Sequence, residues 1–239
     1  MTRTIQFSLF AKYPQICHAI STKAFGTMKK ENNEVHHANL LKFVKSFSKK
    51  SIGISMNQIH GGNVQVVENS RLLVIEETDA IITNKRNLAL TVLVADCVPV
   101  LVFDTEKNAI AVIHAGSKGL VFHVIENTIS AMKTAFDSNP KDLIVGIGPS
   151  ICNNCYEVNE SFADQYISAF PECTDCVTVK NKKYTINLPK LTTQLLQKQG
   201  ILRNNIELAD YCTRCDDALF YSYRHGNRTE RIAGSIALE

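Results

Sequence analysis

Three residues able to hold a metal or to attack an electrophile stand where apolar runs end or turn: His60 after "SMNQI", Cys97 after "TVLVAD" and His114 after "IAVI". Two imidazoles and a thiolate make a borderline-soft donor set suited to zinc. Three protein ligands also leave the fourth tetrahedral position for water or substrate, as a catalytic zinc requires. Ligands drawn from three separated segments have no required interval, so a second reading stays open at this point: a free cysteine and two hydrogen-bonded loop histidines. Asp96 precedes Cys97 inside the apolar run "TVLVADCVPVLVF", residues 91–103. A carboxylate there needs partners, either as a strand-end cap or cation partner, or as the group that orients a ligand.

Eight cysteines in all include three Cys-x-x-Cys pairs, at 152/155, 173/176 and 212/215. Two such pairs can close a four-cysteine zinc site. Three is an odd number for that purpose, and Tyr156, Val177 and Asp216 follow the second cysteines where a zinc knuckle favours a small residue. The pairs are therefore read as separate surface or half-buried thiols. "GSKGL", residues 116–120, joins a strand to a helix, and Lys118 with the free N–H groups of that turn is the expected anion contact.

The elements that position these residues follow from periodicity. "IQFSLF" reads as a strand, "EVHHANLLKFVKSFSKK" as an amphipathic helix, and "ISMNQIHGGNVQVVE" as a hairpin with His60 at its tip. "TDAIIT" and "LALTVLVADC" are strands around the turn "NKRN", and "AIAVIHAGSKGL" is a strand feeding a helix that runs to about Phe136. "DLIVGIGPS" repeats the strand-and-glycine pattern, "ESFADQYISAF" is helical, and "INLPKLTTQLLQKQG" is a helix capped by Asn187, with Pro189 in its first turn and Gly200 as terminator. Strands near "IELAD", "LFYSYRH" and "RIAGSIAL" close the chain. Hairpins mixed with strand-helix units predict an α+β fold, one domain over residues 1–239, with layered mixed β-sheets flanked by helices.

Composition narrows the partners. A formal charge of +3 over 239 residues, with lysines scattered along the chain, argues against a nucleic-acid groove. The amino-terminal "MTRTIQFSLFAKYPQ" lacks the apolar stretch of an export signal, and no run is long enough to span a bilayer. A cytoplasmic protein with a small-molecule substrate is expected. Nothing in the sequence demands an oligomer, and a monomer suffices.

"NQIHGGNV", "TDAIIT", "VADCVPVLVFD", "AVIHAGSKG", "IGPSICNNCYEV" and "CTRCDDALFYSYRHGNRTERIAGSIAL" follow one another in the order of the conserved blocks of the YfiH family, which the chain resembles over roughly residues 50–238. That family, also called the laccase-domain or polyphenol oxidase family, has members described as purine nucleoside phosphorylases. The resemblance implies a metal, zinc ahead of copper, on His60, Cys97 and His114, and these three as the catalytic centre. It implies a purine nucleoside and phosphate as substrates, with adenosine deamination as an accompanying activity. Gln58, Tyr156 and Arg224 are implied as substrate contacts, and Asp96 as a brace for the site. The family's usual His-Ala-Gly-Trp-Arg-Gly becomes His-Ala-Gly-Ser-Lys-Gly here, and Lys23 stands where a further arginine is usual. Lys23 and Lys118 are thus the expected phosphate contacts, with altered affinity because an ammonium cannot reproduce a guanidinium's bidentate fork. Two rival readings use the same residues. One is a metal-free hydrolase or amidase with Cys97 as nucleophile and His114 or His60 as base, linked to peptidoglycan precursor editing. The other is a nucleoside-binding protein without turnover.

Overall fold

The computed structural model describes residues 4–30, 32, 34–71 and 73–239. Among these, two six-stranded mixed sheets stack face to face. The first runs in the order Thr4–Ile5, Ile16–Ser21, Ile232–Leu238, Leu88–Val94, Ile52–Met56 and Val74–Ile75. The second runs Ile206–Leu208, Leu143–Ile147, Val98–Asp104, Ala109–Ala115, Ala80–Thr83 and Val64–Val66. The expected α+β class with layered mixed sheets is what the chain adopts.

Alternation along the strands explains why the run through residues 88–103 is apolar at nearly every position. In the second sheet Val98, Val100 and Val102 face a helical layer of Val124–Phe136 and Leu188–Lys198, while Leu101 and Phe103 face Leu90, Val92 and Ile236 of the first sheet. The outer face of the first sheet, with Ala19, Ala89 and Ala233, is covered by Leu40, Phe43 and Val44 of the helix His37–Phe47. The result is helix, sheet, sheet, helix, so each central strand is buried on both faces and has no polar side.

Four expectations about local structure fail. The segment 54–68 is not a hairpin: Ile52–Met56 pairs parallel with Leu88–Val94, Val64–Val66 pairs parallel with Ala80–Thr83, and the loop bearing His60 crosses from one sheet to the other. "LFYSYRH" alternates like a strand but is a turn ending in a 3-10 helix, Tyr223–His225, because side chains take its backbone donors: Ser222 N–H goes to Asn227, His225 N–H to Ser222, and Arg224 N–H to Asp96. "IQFSLF" is a strand only over Thr4–Ile5, since Phe7 N–H donates to His18 Nε2 and the N–H groups of Ser8 and Leu9 to Glu207. Side-chain acceptors, near in sequence at Ser222 and Asn227 and distant at Asp96 and Glu207, have outcompeted the ladder. The helix expected to run unbroken to Phe136 is interrupted at His123, which lies in the left-handed region at φ 60° between Ser117–Val121 and Val124–Phe136. A three-stranded sheet, Glu157–Val158, Lys183–Ile186 and Val177–Lys180, was not anticipated. The capped helix after Asn187 is present as expected, with Asn187 Oδ1 accepting from Lys190 N–H at 3.0 Å and Gly200 at φ +96°.

His18 carries a pH dependence. Its ring is 5% exposed, accepts from Phe7 N–H at 2.8 Å, and burial holds its pKa down to about 4 against the carboxylate of Glu207, which pulls the other way. The unfolded chain therefore binds the proton more readily. The contribution is complete above the ordinary histidine pKa and is lost as pH falls from about 6.5 towards 4, on the order of 3 kcal/mol in total. Urea unfolding across that window should be markedly flatter for His18→Gln, whose amide oxygen still accepts from Phe7 but does not titrate; an unchanged slope would rule out His18 as the source.

Candidate functional site

One end of the sandwich gathers the three residues picked out at the start. Residues 95–97 carry the chain from Leu88–Val94 of the first sheet into Val98–Asp104 of the second, so Cys97 sits at a corner between sheets. Asp96 takes the left-handed conformation there, φ 85°. The pairing of Val98 with Ala115 and of Pro99 with His114 sets Cys97 opposite Gly116. Gly116 is needed for space: a Cβ on it would lie 3.0 Å from Cys97 Sγ, 3.3 Å from His60 Cδ2 and 3.7 Å from His114 Cε1. His60 reaches in from the crossing loop, and the donor atoms of His60, Cys97 and His114 lie within 4.8 Å of one another.

The residue that builds this arrangement is Asp79, which the sequence reading passed over. Fully buried, it precedes the strand Ala80–Thr83, whose register places it beside His114. His114 Nδ1–H donates to Asp79 Oδ1 at 2.7 Å, leaving Nε2 for the site. Backbone N–H groups of Ile59, His60 and Gly61 donate to the same carboxylate at 3.2, 2.9 and 2.7 Å. A single carboxylate thus fixes one histidine by its ring and the other by its loop. The available signal was Asp79 itself, a carboxylate at the mouth of the buried strand "AIIT". Burial works to raise Asp79, but the hydrogen bond and charge of His114, then the loop amides, hold it below the usual carboxylate range.

Electrostatics favour a thiolate. Burial would raise Cys97, but the charge and hydrogen bond of His114, and then those of His60, draw it down to about 6. Burial likewise works to lower His114, and the sulfur of Cys97 with the carboxylate of Asp79 carries it up to about 9. Both shifts favour a thiolate on Cys97 and a proton on His114, and a metal on Nε2 would take the place of that proton.

Asp96 has different partners from those expected. Its Oδ1 accepts from Thr213 Oγ1 at 2.6 Å and its Oδ2 from Arg224 N–H at 2.7 Å, so it orients the segment after residue 209 and not a histidine. Gln58 lines the cavity in front of the triad, but its amide is spent on Leu93, donating to the carbonyl at 2.8 Å and accepting from the N–H at 2.9 Å. Tyr156 and Arg224 also line this space, the guanidinium 4.8 Å from the Tyr156 ring centre and donating to Glu157 O at 2.7 Å. Lys23 and Lys118 are not among the lining residues. Lys23 Nζ donates to Asp217 O at 2.6 Å over the Tyr221 ring, and Lys118 is exposed on the short helix Ser117–Val121. Besides Arg224, the cations on the wall are Lys29 and Arg231, neither singled out from sequence. The cavity measures about 390 Å³, within the range of small-molecule sites.

The cysteine pairs need the clearest correction. Cys152, Cys155, Cys212 and Cys215 converge, their sulfurs all within 4.8 Å of one another. Cys173 and Cys176 stay out of this cluster, with Cys176 Sγ donating to Gln194 Oε1 at 2.8 Å. Chain order hid the association because the skipped pair lies between the two that meet.

The family model described as multi-copper polyphenol oxidoreductase laccase matches residues 19–239. Purine nucleoside phosphorylase YlmD of Bacillus subtilis is 32% identical over 168 residues, 69% of this chain and 60% of that protein. Purine nucleoside phosphorylase LACC1 of Mus musculus is 34% identical over 168 residues, 68% of this chain but 39% of the mouse protein. Purine nucleoside phosphorylase of Haemophilus influenzae is 30% identical over 213 residues, 87% of this chain and 84% of that one. Among solved structures, Bacillus licheniformis YfiH superposes with a TM-score of 0.84 at 26% identity, covering 95% of this chain and 94% of the other.

Proposed function

Because the chain belongs to the multi-copper polyphenol oxidoreductase laccase family, with relatives named purine nucleoside phosphorylases, we propose that it is a zinc-dependent purine nucleoside phosphorylase. It converts adenosine, inosine or methylthioadenosine to free base and ribose 1-phosphate, with adenosine deamination as an accompanying activity. The observation that carries this reading is the joining, in one cavity, of an open His-Cys-His donor set and three cations, Lys29, Arg224 and Arg231.

The donor set suits zinc. One thiolate and two imidazoles surround space that a Cβ on Gly116 would fill, and Asp79 holds His114 in the tautomer that leaves Nε2 available. Neither this set nor the four-cysteine cluster is the histidine-rich array that several coppers need. Zinc held by His60, Cys97 and His114 supplies Lewis acidity that stabilises negative charge on oxygen. Lys29 and Arg231 bind and orient phosphate. Burial, and then the charge of Arg231, work to lower Lys29, and a bound anion would favour its charged form. Arg224, steadied by Glu157 and Asp96, joins them, and the rings of Tyr156 and Tyr223 offer faces to the purine. A phosphate oxygen bonds to the ribose anomeric carbon as the bond to the base nitrogen breaks; the electron pair and one proton end on the base. The chain is read as a single cytoplasmic domain for which a monomer suffices, without a membrane or nucleic-acid partner. Among the described residues no helix is long and apolar enough to cross a membrane.

Release of adenine from adenosine, or hypoxanthine from inosine, should require phosphate and give ribose 1-phosphate. Arg231→Gln should raise the KM for phosphate by about 10- to 100-fold, the worth of a charged hydrogen bond, and leave the KM for nucleoside nearly unchanged. Zinc-loaded protein that releases no base would sink the phosphorylase reading, and nucleoside binding without product would favour a binding protein.

One observation favours a second reading. Cys97, His114 and Asp79 line up as thiolate, imidazole and orienting carboxylate, the arrangement of a cysteine hydrolase or amidase. Metal content separates the two, since a stoichiometric zinc occupies the thiolate that a nucleophile needs.

A further inference from the structure

We propose that Cys152, Cys155, Cys212 and Cys215 bind a second zinc ion in a closed, structural tetrathiolate site that staples two walls of the active cavity. The site lies outside the nucleoside chemistry and stands or falls without it.

Four sulfurs from two Cys-x-x-Cys pairs lie within 4.8 Å of one another, and Cys155 Sγ and Cys215 Sγ are 3.4 Å apart. Arms of about 2.3 Å in a tetrahedron put sulfurs about 3.8 Å apart, so the cluster needs only slight adjustment to take the ion. Unlike His60, Cys97 and His114, this set has no open position, which suits a structural metal.

The backbone is arranged for thiolates as well. Ser150 and Cys212 form an isolated parallel bridge that draws the two segments alongside. Cys152 N–H then donates to Cys212 Sγ at 3.3 Å, and the N–H groups of Arg214 and Cys215 turn toward the same sulfur. Amide donors of this kind spread the negative charge that four thiolates leave on a divalent ion. Arg214, donating to Cys155 O at 3.3 Å, brings a cation beside it.

Position gives the site its purpose. Cys155 precedes Tyr156, and Glu157 O holds Arg224; beyond Cys212, Thr213 holds Asp96. Neither segment lies in a strand, Asn153–Cys155 being a single 3-10 turn and residues 213–215 a turn, and a metal across them sets the distance between Tyr156 and Arg224. The exposure of Cys215 lets the ion enter from solvent.

Metal analysis of the untagged full chain tests this. Wild type should carry two zinc ions, and Cys97→Ala should keep one. Exchange of that remaining ion for Co²⁺ should give the intense sulfur-to-cobalt charge-transfer bands of a tetrathiolate. Adding Cys215→Ser at the exposed position should remove or greatly weaken it. The count on Cys97→Ala leaves the four cysteines intact, so it does not depend on whether the serine variant folds. A Cys97→Ala protein without metal overturns the proposal, as does an intact mass showing disulfides among the four, or iron in place of zinc.

Discussion

Cys97→Ala is expected to lose the zinc held at the triad and to slow phosphorolysis by about three orders of magnitude or more. A Lewis acid at the reacting oxygen contributes several kcal/mol of transition-state stabilisation, and each 1.4 kcal/mol is about tenfold in rate. Folding should hardly change, because the side chain is small and only partly buried at a corner between sheets. His60→Ala, at an exposed position, should behave the same way if the two act as ligands of one ion. Metal content, thermal unfolding and base release on the same preparations make the check. A Cys97→Ala enzyme with wild-type turnover would remove the triad from the mechanism. A metal-free wild type whose Cys97 is alkylated rapidly at neutral pH would instead favour the cysteine hydrolase.

The second large effect is expected at Asp79. Asp79→Ala strips the partner from the buried His114 ring and from three backbone amides at once. Breaking such a buried pair costs roughly 3–5 kcal/mol, so the variant should unfold at clearly lower denaturant. Asp79→Asn keeps the shape and one acceptor, and separates stability from site geometry. With an amide in place of the carboxylate, His114 loses the charged acceptor that holds its tautomer, and zinc affinity at the triad should fall by about 10- to 100-fold. Competition with a chelator, followed in Cys215→Ser so that the triad is read alone, measures this. Wild-type affinity in Asp79→Asn would mean that packing holds the histidines without the carboxylate.

Both predictions turn on how far the site could be read from the chain alone. His60, Cys97 and His114 were legible because each breaks an apolar run with a ligand-type side chain, and a strand buried on both faces tolerates such residues only at its ends. The same logic exposed the strands Leu88–Val94 and Ala109–Ala115 and the helix after Asn187, whose signals are local, whereas Val98–Asp104 was read only as the tail of one apolar run, residues 91–103, which residues 95–97 divide between the two sheets. Segments where a distant side chain captures the backbone were misread, as at Phe7 with His18 and at Arg224 with Asp96, since the acceptor is 11 residues away in one case and 128 in the other.

What the sequence by itself determined is the inventory and the local structure: a mixed-sheet domain, an open His-Cys-His set, and motif blocks in a family's order. The tertiary structure alone decided which residues surround that set. Antiparallel register put Asp79 against His114, and the crossing of residues 95–97 between sheets put Cys97 at the same end of the sandwich. Folding left Lys23 on Asp217, brought Lys29 and Arg231 to the cavity in its place, and joined the first and third cysteine pairs past the second. Spacing along the chain carries no information about such meetings: they depend on sheet order and register, which are set by burying apolar faces far from the polar residues they bring together.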